Sequence, residues 1–378
     1  MNILYLTTSV PSSVFSAYLS NPKISLNPSG QNFHRKMIKA LRQFDHVEVL
    51  SLCPSFINDP IKEEGYHYVV PTEKNGTVDK VRRIKSLVTA GLGIYSKEDK
   101  PIIVFDPLSI YLSQTSKRLS SKLGCPRVAV LTDNPRNLSN SSSFVTDITI
   151  NAAAGSDGFL ALSNGLLIAY DVQKAPHITF EGIEEDLPYE AVNEPKGSFL
   201  YFGGALYERY GITDLLSAFM KSKLKYKLLI AGHGPLSQKV NEATLVDNRI
   251  VFLGELLGKE NFHYEQNAAL NINPRRFSTL LDAESVPSKV LEYIVSGEPV
   301  LSTWHSKIES LYPDDVNWLE ESGADAITAF FLAHTDKEGK LVGIKPNNAK
   351  EKALNRYSLP TIGAKVHSFL LSLNSSSN

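Results

Sequence analysis

The chain has 378 residues, 42% of them hydrophobic, which is enough for two compact cores in an ordinary globular protein. Its formal charge of −1 argues against bulk binding to nucleic acid, and Cys53 and Cys125 are too few for a disulfide framework or a zinc site. No apolar run reaches the length of a membrane span, and the opening MNILYLTTSVP lacks the basic leader of a secretory signal, so a cytoplasmic location is expected.

Apolar runs read as strands at Asn2 to Thr8, Val47 to Cys53, Ile102 to Phe105, Val128 to Leu131 and Phe159 to Leu162, with helical segments at 31–43, 108–123 and 165–172. The pattern restarts at Phe199 to Phe202 and continues with strands at 227–231, 250–253, 269–272 and 300–302. This alternation predicts an α/β fold of two doubly wound, Rossmann-like domains with parallel sheets. The charged, proline-punctuated stretch 184–196 predicts the boundary, giving domains over 1–190 and 191–355. Residues 347–373 carry apolar positions at helical spacing.

Glu284 to Thr303, ESVPSKVLEYIVSGEPVLST, is the most specific stretch. Pro287 fits the first turn of a helix, Ser285 or Ser288 can cap it, and Gly297 with Pro299 stops it. The free amides at such a start favour a phosphate, and an anionic ligand would account for Lys289 in a turn where a cation opposes the helix dipole. Upstream, Tyr201-Phe202-Gly203-Gly204 ends a strand, where open α/β sheets bind ligands, and its glycines would admit a phosphate close to the backbone. Gly232-His233-Gly234-Pro235 and Asn273-Pro274-Arg275 also end strands, although each alone reads equally as a plain turn. There is no Asp-x-Asp, H-E-x-x-H, G-x-S-x-G or G-x-x-x-x-G-K-[ST] motif, so neither a metal nor a conventional nucleophile is expected.

Glu284 and Glu292, separated by seven residues and followed by Ser296-Gly297-Glu298-Pro299-Val300, resemble the motif of the retaining glycosyltransferases often called GT4 or glycosyltransferase group 1. Pro287-Ser288-Lys289 looks like a variant common in bacterial surface-polysaccharide enzymes. The resemblance implies a GT-B fold, in which two domains face a central cleft and the final helix, about 356–378, crosses back to the first domain. It also implies a UDP- or GDP-linked sugar donor, a glycan or lipid-linked acceptor, and no cofactor or metal. Glu292 would hold the ribose, Lys289 and Arg209 the diphosphate, and Glu284 the sugar hydroxyls. Gly232, His233, Arg275 and Ser288 would line the donor site, with Phe252-Leu253-Gly254 as the F-L-G segment near the base.

The chain departs from the family pattern at several points. Gly204 stands where an Arg is expected, and Arg209 is the nearest replacement for a Lys. Asn27-Pro28-Ser29-Gly30-Gln31 resembles the glycine loop facing diphosphate and acceptor, and its long approach from Thr8 to Ser29 is a candidate acceptor loop or a plain insertion. Asp106 occupies the place of the expected His near the sugar, and Asp133 ends the next strand, where it could bind acceptor hydroxyls or cap a turn. Residues 78–97 place Lys80, Arg82, Arg83 and Lys85 beside apolar positions, which suits either a core helix or peripheral contact with an anionic membrane. A sugar-nucleotide epimerase and a non-catalytic glycan-binding partner remain the alternatives to a transferase.

Overall fold

Strands with apolar side chains on both faces build two parallel sheets in the computed structural model, which describes residues 1–19, 28–54, 57, 62–71, 77–137, 143–256 and 258–375. The chain divides into one unit of residues 1–183, 283–285 and 359–378, and another of 184–282 and 286–358. The change of unit after Ile183 precedes the stretch from which the sequence places the boundary.

The first unit runs β1 (Asn2–Thr7), α1 (Ser12–Leu19), α2 (Pro28–Leu41), β2 (His46–Leu52), β3 (Tyr66–Val69), α3 (Thr77–Ile94), β4 (Ile102–Phe105), α4 (Ile110–Leu123), β5 (Arg127–Leu131), α5 (Ser143–Ala154), β6 (Gly158–Ala161), α6 (Asn164–Ala169) and β7 (His177–Thr179). Its strand order is β3-β2-β1-β4-β5-β6-β7. Side-chain alternation splits the strands between two cores. Leu4, Leu6, Ile103 and Phe105 pack with Leu87 of α3 and Leu112 and Leu119 of α4. Ile3, Tyr5, Ile102 and Val104 pack on the other side with Met37 and Leu41 of α2.

The second unit runs β8 (Phe199–Gly203), α7 (Ile212–Lys221), β9 (Lys227–Ala231), α8 (Ser237–Val246), β10 (Ile250–Gly254), α9 (Gly258–Asn267), β11 (Leu270–Asn273), α10 (Thr279–Glu284), α11 (Ser288–Ser296), β12 (Val300–Thr303), α12 (Ser306–Leu311), β13 (Asn317–Leu319), α13 (Ala324–Ala333) and α14 (Lys350–Tyr357). The last residues of α10 cluster with the first unit. The strand order is β10-β9-β8-β11-β12-β13. In each sheet the order reverses beside the first strand, at β1/β4 and at β8/β11, and the crevice at such a switch point is where these sheets take ligands.

The last helix, α15 (Leu359–Ser375), belongs to the first unit, where Ile362, Val366 and Leu370 join the core containing Met37 and Leu41 of α2. Pro360 suits its first turn. Four expectations need correction. Gly30 lies inside α2 rather than in a loop, because Pro28 starts the helix three residues earlier than the apolar periodicity suggests. The approach from Thr8 contains α1, while 20–27 lie outside the described residues. Pro287 stands at the N-cap of α11 instead of in its first turn, and that cap has no side-chain hydrogen bond. Short strands β3, β7 and β13 carry no long apolar run and were not anticipated.

No helix among the described residues is long and apolar enough to cross a membrane. Helix α3 buries Leu87 and Val88 in the core and leaves Val78 and Val81 exposed beside Lys80, Arg82 and Lys85.

Candidate functional site

In the second unit the ends of β8, β9 and β11 meet through backbone contacts. A Cβ on Gly232, whose φ is +141°, would lie 1.8 Å from the carbonyl oxygen of Gly204. One on Gly211, at φ +72°, would lie equally close, 1.8 Å, to the carbonyl oxygen of Pro274. These glycines therefore serve the packing of one loop on another. At Gly203 a Cβ would meet Asn261 Oδ1 at 2.3 Å, whereas at Gly204 its nearest contact is the Phe202 ring at 3.4 Å. Of the four, Gly204 alone has room for a Cβ at ordinary van der Waals distance.

Beneath these loops lies a polar cluster built by α9 and α11. Lys289 Nζ is 2.6 Å from Glu292 Oε2 and 3.5 Å from Glu265 Oε1. Glu265 is fully buried, and Asn261 Nδ2 donates to its Oε1. Tyr201 Oη donates to Asn261 Oδ1 at 2.7 Å, and the Gly203 N–H donates to Tyr293 Oη at 3.1 Å, so the end of β8 is tied to α11. Burial lowers the proton affinity of Lys289, but Glu292 and then Glu265 outweigh it and hold the ammonium well above its ordinary range. The carboxylates themselves account for a cation in the first turn of α11. Burial pushes the Tyr293 hydroxyl up, opposed by Lys289.

The remaining candidates of this unit sit around the cluster. Ser288 is exposed at the start of α11 and Glu292 is half-buried. Arg209 is exposed, its guanidinium over the rings of Tyr210 at 5.0 Å and Tyr207 at 5.5 Å. Arg275 is half-buried and lines a small cleft with Pro287, Thr303 and His305, while the adjacent Arg276 pairs with Asp214 at 2.7 Å. His233 is exposed after β9, and its charge opposes the effect of burial, which raises the carboxyl of Glu255 just beyond β10.

In the first unit, the Asp106 N–H donates to Leu6 O at 3.1 Å, which fixes Asp106 at the β1/β4 switch point. Its carboxylate accepts from the Leu108 N–H at 2.9 Å and lies 3.5 Å from His34 Nε2. His34 Nδ1 is 2.8 Å from Tyr5 Oη. A histidine is therefore present beside Asp106, supplied by α2. Asp133 is half-buried and its backbone oxygen accepts from Tyr170 Oη at 3.3 Å. Gly30 lies in the first turn of α2, followed by Gln31, whose Oε1 accepts from the Val10 N–H at 2.9 Å.

Glu284 clusters with this first unit, unlike Glu292. Its carboxylate accepts from Asn134 Nδ2 at 3.1 Å to each oxygen and from Asn137 Nδ2 at 2.6 Å, and its backbone oxygen accepts from Ser163 Oγ at 2.9 Å. Among the described residues no group of three His, Cys, Asp or Glu side chains is placed to hold a metal ion.

Residues 197–331 match the family model described as glycosyl transferases group 1, and this segment contains β8 to β13, most of α13 and the whole polar cluster. Solved structures resemble the full chain. Anabaena HepE in complex with UDP and glucose superposes with a TM-score of 0.68 at 14% identity, covering 98% of this chain and 100% of that one. The chain has the GT-B fold. Sucrose-phosphate synthase from Thermosynechococcus elongatus gives 0.70 at 13% identity over 100% of both GT-B chains. The lipopolysaccharide outer core galactosyltransferase WaaB, in its apo form, gives 0.58 at 14% identity, covering 98% of this GT-B protein and 99% of that one. No curated protein sequence matches it.

Proposed function

We propose that the protein is a retaining, metal-independent hexosyltransferase that moves a sugar from a UDP- or GDP-linked donor to a glycan or lipid-linked acceptor in surface polysaccharide assembly. The observation that carries the reading is the Lys289–Glu292–Glu265 cluster at the amide-rich start of α11, inside the segment that matches the family model. HepE, which is similar in fold, is described in complex with UDP and with UDP-glucose, and this supports a nucleotide-sugar donor.

In this reading the donor diphosphate lies over the α11 amides, with Lys289, Arg275 and Arg209 opposing its charge, and Glu292 accepts from the ribose hydroxyls. Ser288, Gly203, Gly204, Gly232 and His233 border the nucleotide. The acceptor oxygen attacks the anomeric carbon as the bond to the diphosphate oxygen breaks, and the leaving phosphate oxygen takes the acceptor proton on the same face. Glu284, oriented by Asn134 and Asn137, receives the sugar hydroxyls, and Asp106 with His34, together with Asp133, serves the acceptor. Contact of α3 with the inner face of a membrane would suit a lipid-linked acceptor.

The test incubates the purified protein with UDP- and GDP-hexoses and a mixture of candidate acceptors, then follows nucleotide release and the anomeric configuration of the product. Release from one donor with retained configuration supports the proposal. An inverted product, or epimerised donor without transfer, overturns it.

A further inference from the structure

The protein contains two tryptophans, Trp304 and Trp318, and both line one open cavity of about 810 Å³ in the second unit. Its lining includes the edge strand β13 and residues just after β12 and β13, and it shares Phe277 and Trp304 with the small cleft of Arg275 and Pro287. Phe277, 46% exposed, packs against Trp304 with ring centroids 5.8 Å apart and continues the aromatic wall. Trp318 Nε1 donates to Tyr312 O at 3.1 Å, so its indole is held in place with its polar edge already satisfied. Glu309, Asn317, Glu320, His334 and Lys345 supply the polar side of the cavity.

We infer that this cavity is a second binding site, for a neutral oligosaccharide. Aromatic faces cover the apolar C–H faces of sugar rings, and carboxylates accept hydrogen bonds from sugar hydroxyls, so the two kinds of lining match the two kinds of sugar surface. The size falls within the range of small-ligand cavities. The charge selects among ligands. Two carboxylates line it together with His334 and one lysine, whose Nζ donates to Pro313 O at 3.3 Å, and two fixed negative charges against one fixed positive charge disfavour a phosphate or an acidic polymer. The same carboxylates would be desolvated at a cost by a purely apolar ligand. One consequence rests on the proposed function: the natural occupant would be the acceptor glycan, retained near the transfer site by a second point of attachment.

The two tryptophans make the test sensitive, because both indoles line this cavity, and the Trp318 indole reports it without also bordering the small cleft of Arg275 that Trp304 shares. Emission excited where tyrosine does not absorb is followed while neutral oligosaccharides of glucose, galactose, mannose or N-acetylglucosamine are titrated into the full chain. The expected result is a saturable change with at least one of them, and a dissociation constant raised roughly tenfold or more in Glu309→Gln/Glu320→Gln as charged acceptors are lost. That variant is expected to keep its circular dichroism spectrum and melting temperature. No saturable change with any sugar overturns the inference, as does unchanged affinity in the double variant. So does quenching by UDP alone with none by sugars. Donor binding is read separately, by the melting-temperature shift with nucleotides, so a failed sugar site and a failed transferase reading are distinguishable.

Discussion

Replacing Lys289 by Met removes the cation that faces Glu265, and the energetic consequence follows from burial. The Glu292 side chain is 15% exposed and can regain water, but Glu265 is fully buried and cannot. Breaking a buried ion pair by removing one partner typically costs about 3–5 kcal/mol. The lower end applies here, because the Lys289 side chain is 30% exposed and Asn261 still donates to Glu265, so a loss of about 3 kcal/mol at neutral pH is expected. In the variant, Glu265 holds its proton to higher pH when folded than when unfolded. The folded state then binds more protons, and stability falls as pH rises through that window. Native protein behaves differently: Lys289 is raised above its ordinary value of 10.5, so its contribution is complete below that pH and is lost only in more alkaline solution. Urea unfolding of both proteins between about pH 5 and pH 8 checks this, with Lys289→Met/Glu265→Gln recovering most of the loss. A loss under about 1 kcal/mol, or one equal at every pH, would refute the reasoning.

Gly232→Ala and Gly211→Ala should each cost about 3 kcal/mol or more in the same assay, since a Cβ would meet a carbonyl oxygen at 1.8 Å, whereas Gly204→Ala should cost under about 1 kcal/mol. Asn134→Ala leaves Glu284 with Asn137 as its side-chain donor, and turnover in the transfer assay should fall roughly tenfold to a hundredfold while donor affinity is kept. Burial pushes Cys53 up to about 11 and Cys125 up to about 12, so neither should be alkylated by iodoacetamide near neutral pH until the protein is denatured, as read by intact mass.

Much of the fold was legible because strands buried on both faces in parallel sheets leave unbroken apolar runs, as in Ile102–Phe105 and Val300–Thr303. The end of α11 was equally plain, with Gly297 in the left-handed region at φ +88°. The polar cluster was legible only by half. Lys289 and Glu292 share one helix turn, but Glu265 comes from GKENFHYEQN, a mostly polar segment whose Asn261, His263, Glu265, Gln266 and Asn267 are nevertheless buried along with Phe262 and Tyr264. Hydropathy assigns such a helix to the surface, and only its neighbours reveal otherwise. His34 was missed for a related reason, since its pairing with Asp106 depends on how α2 docks beside β1 and β4. The sequence signal available for it was a histidine one helix turn beyond Gly30. At Gly232 the steric constraint is the carbonyl oxygen of Gly204 in a neighbouring loop, a contact that a linear pattern does not show.

The central claim, a nucleotide-sugar site at the start of α11, is tested most directly by melting the protein with UDP, GDP, ADP and their sugar conjugates, since a ligand of the native state raises stability by mass action. The account predicts a selective rise with one base that is lost in Glu292→Ala. Well-folded protein whose melting temperature no nucleotide changes would contradict it.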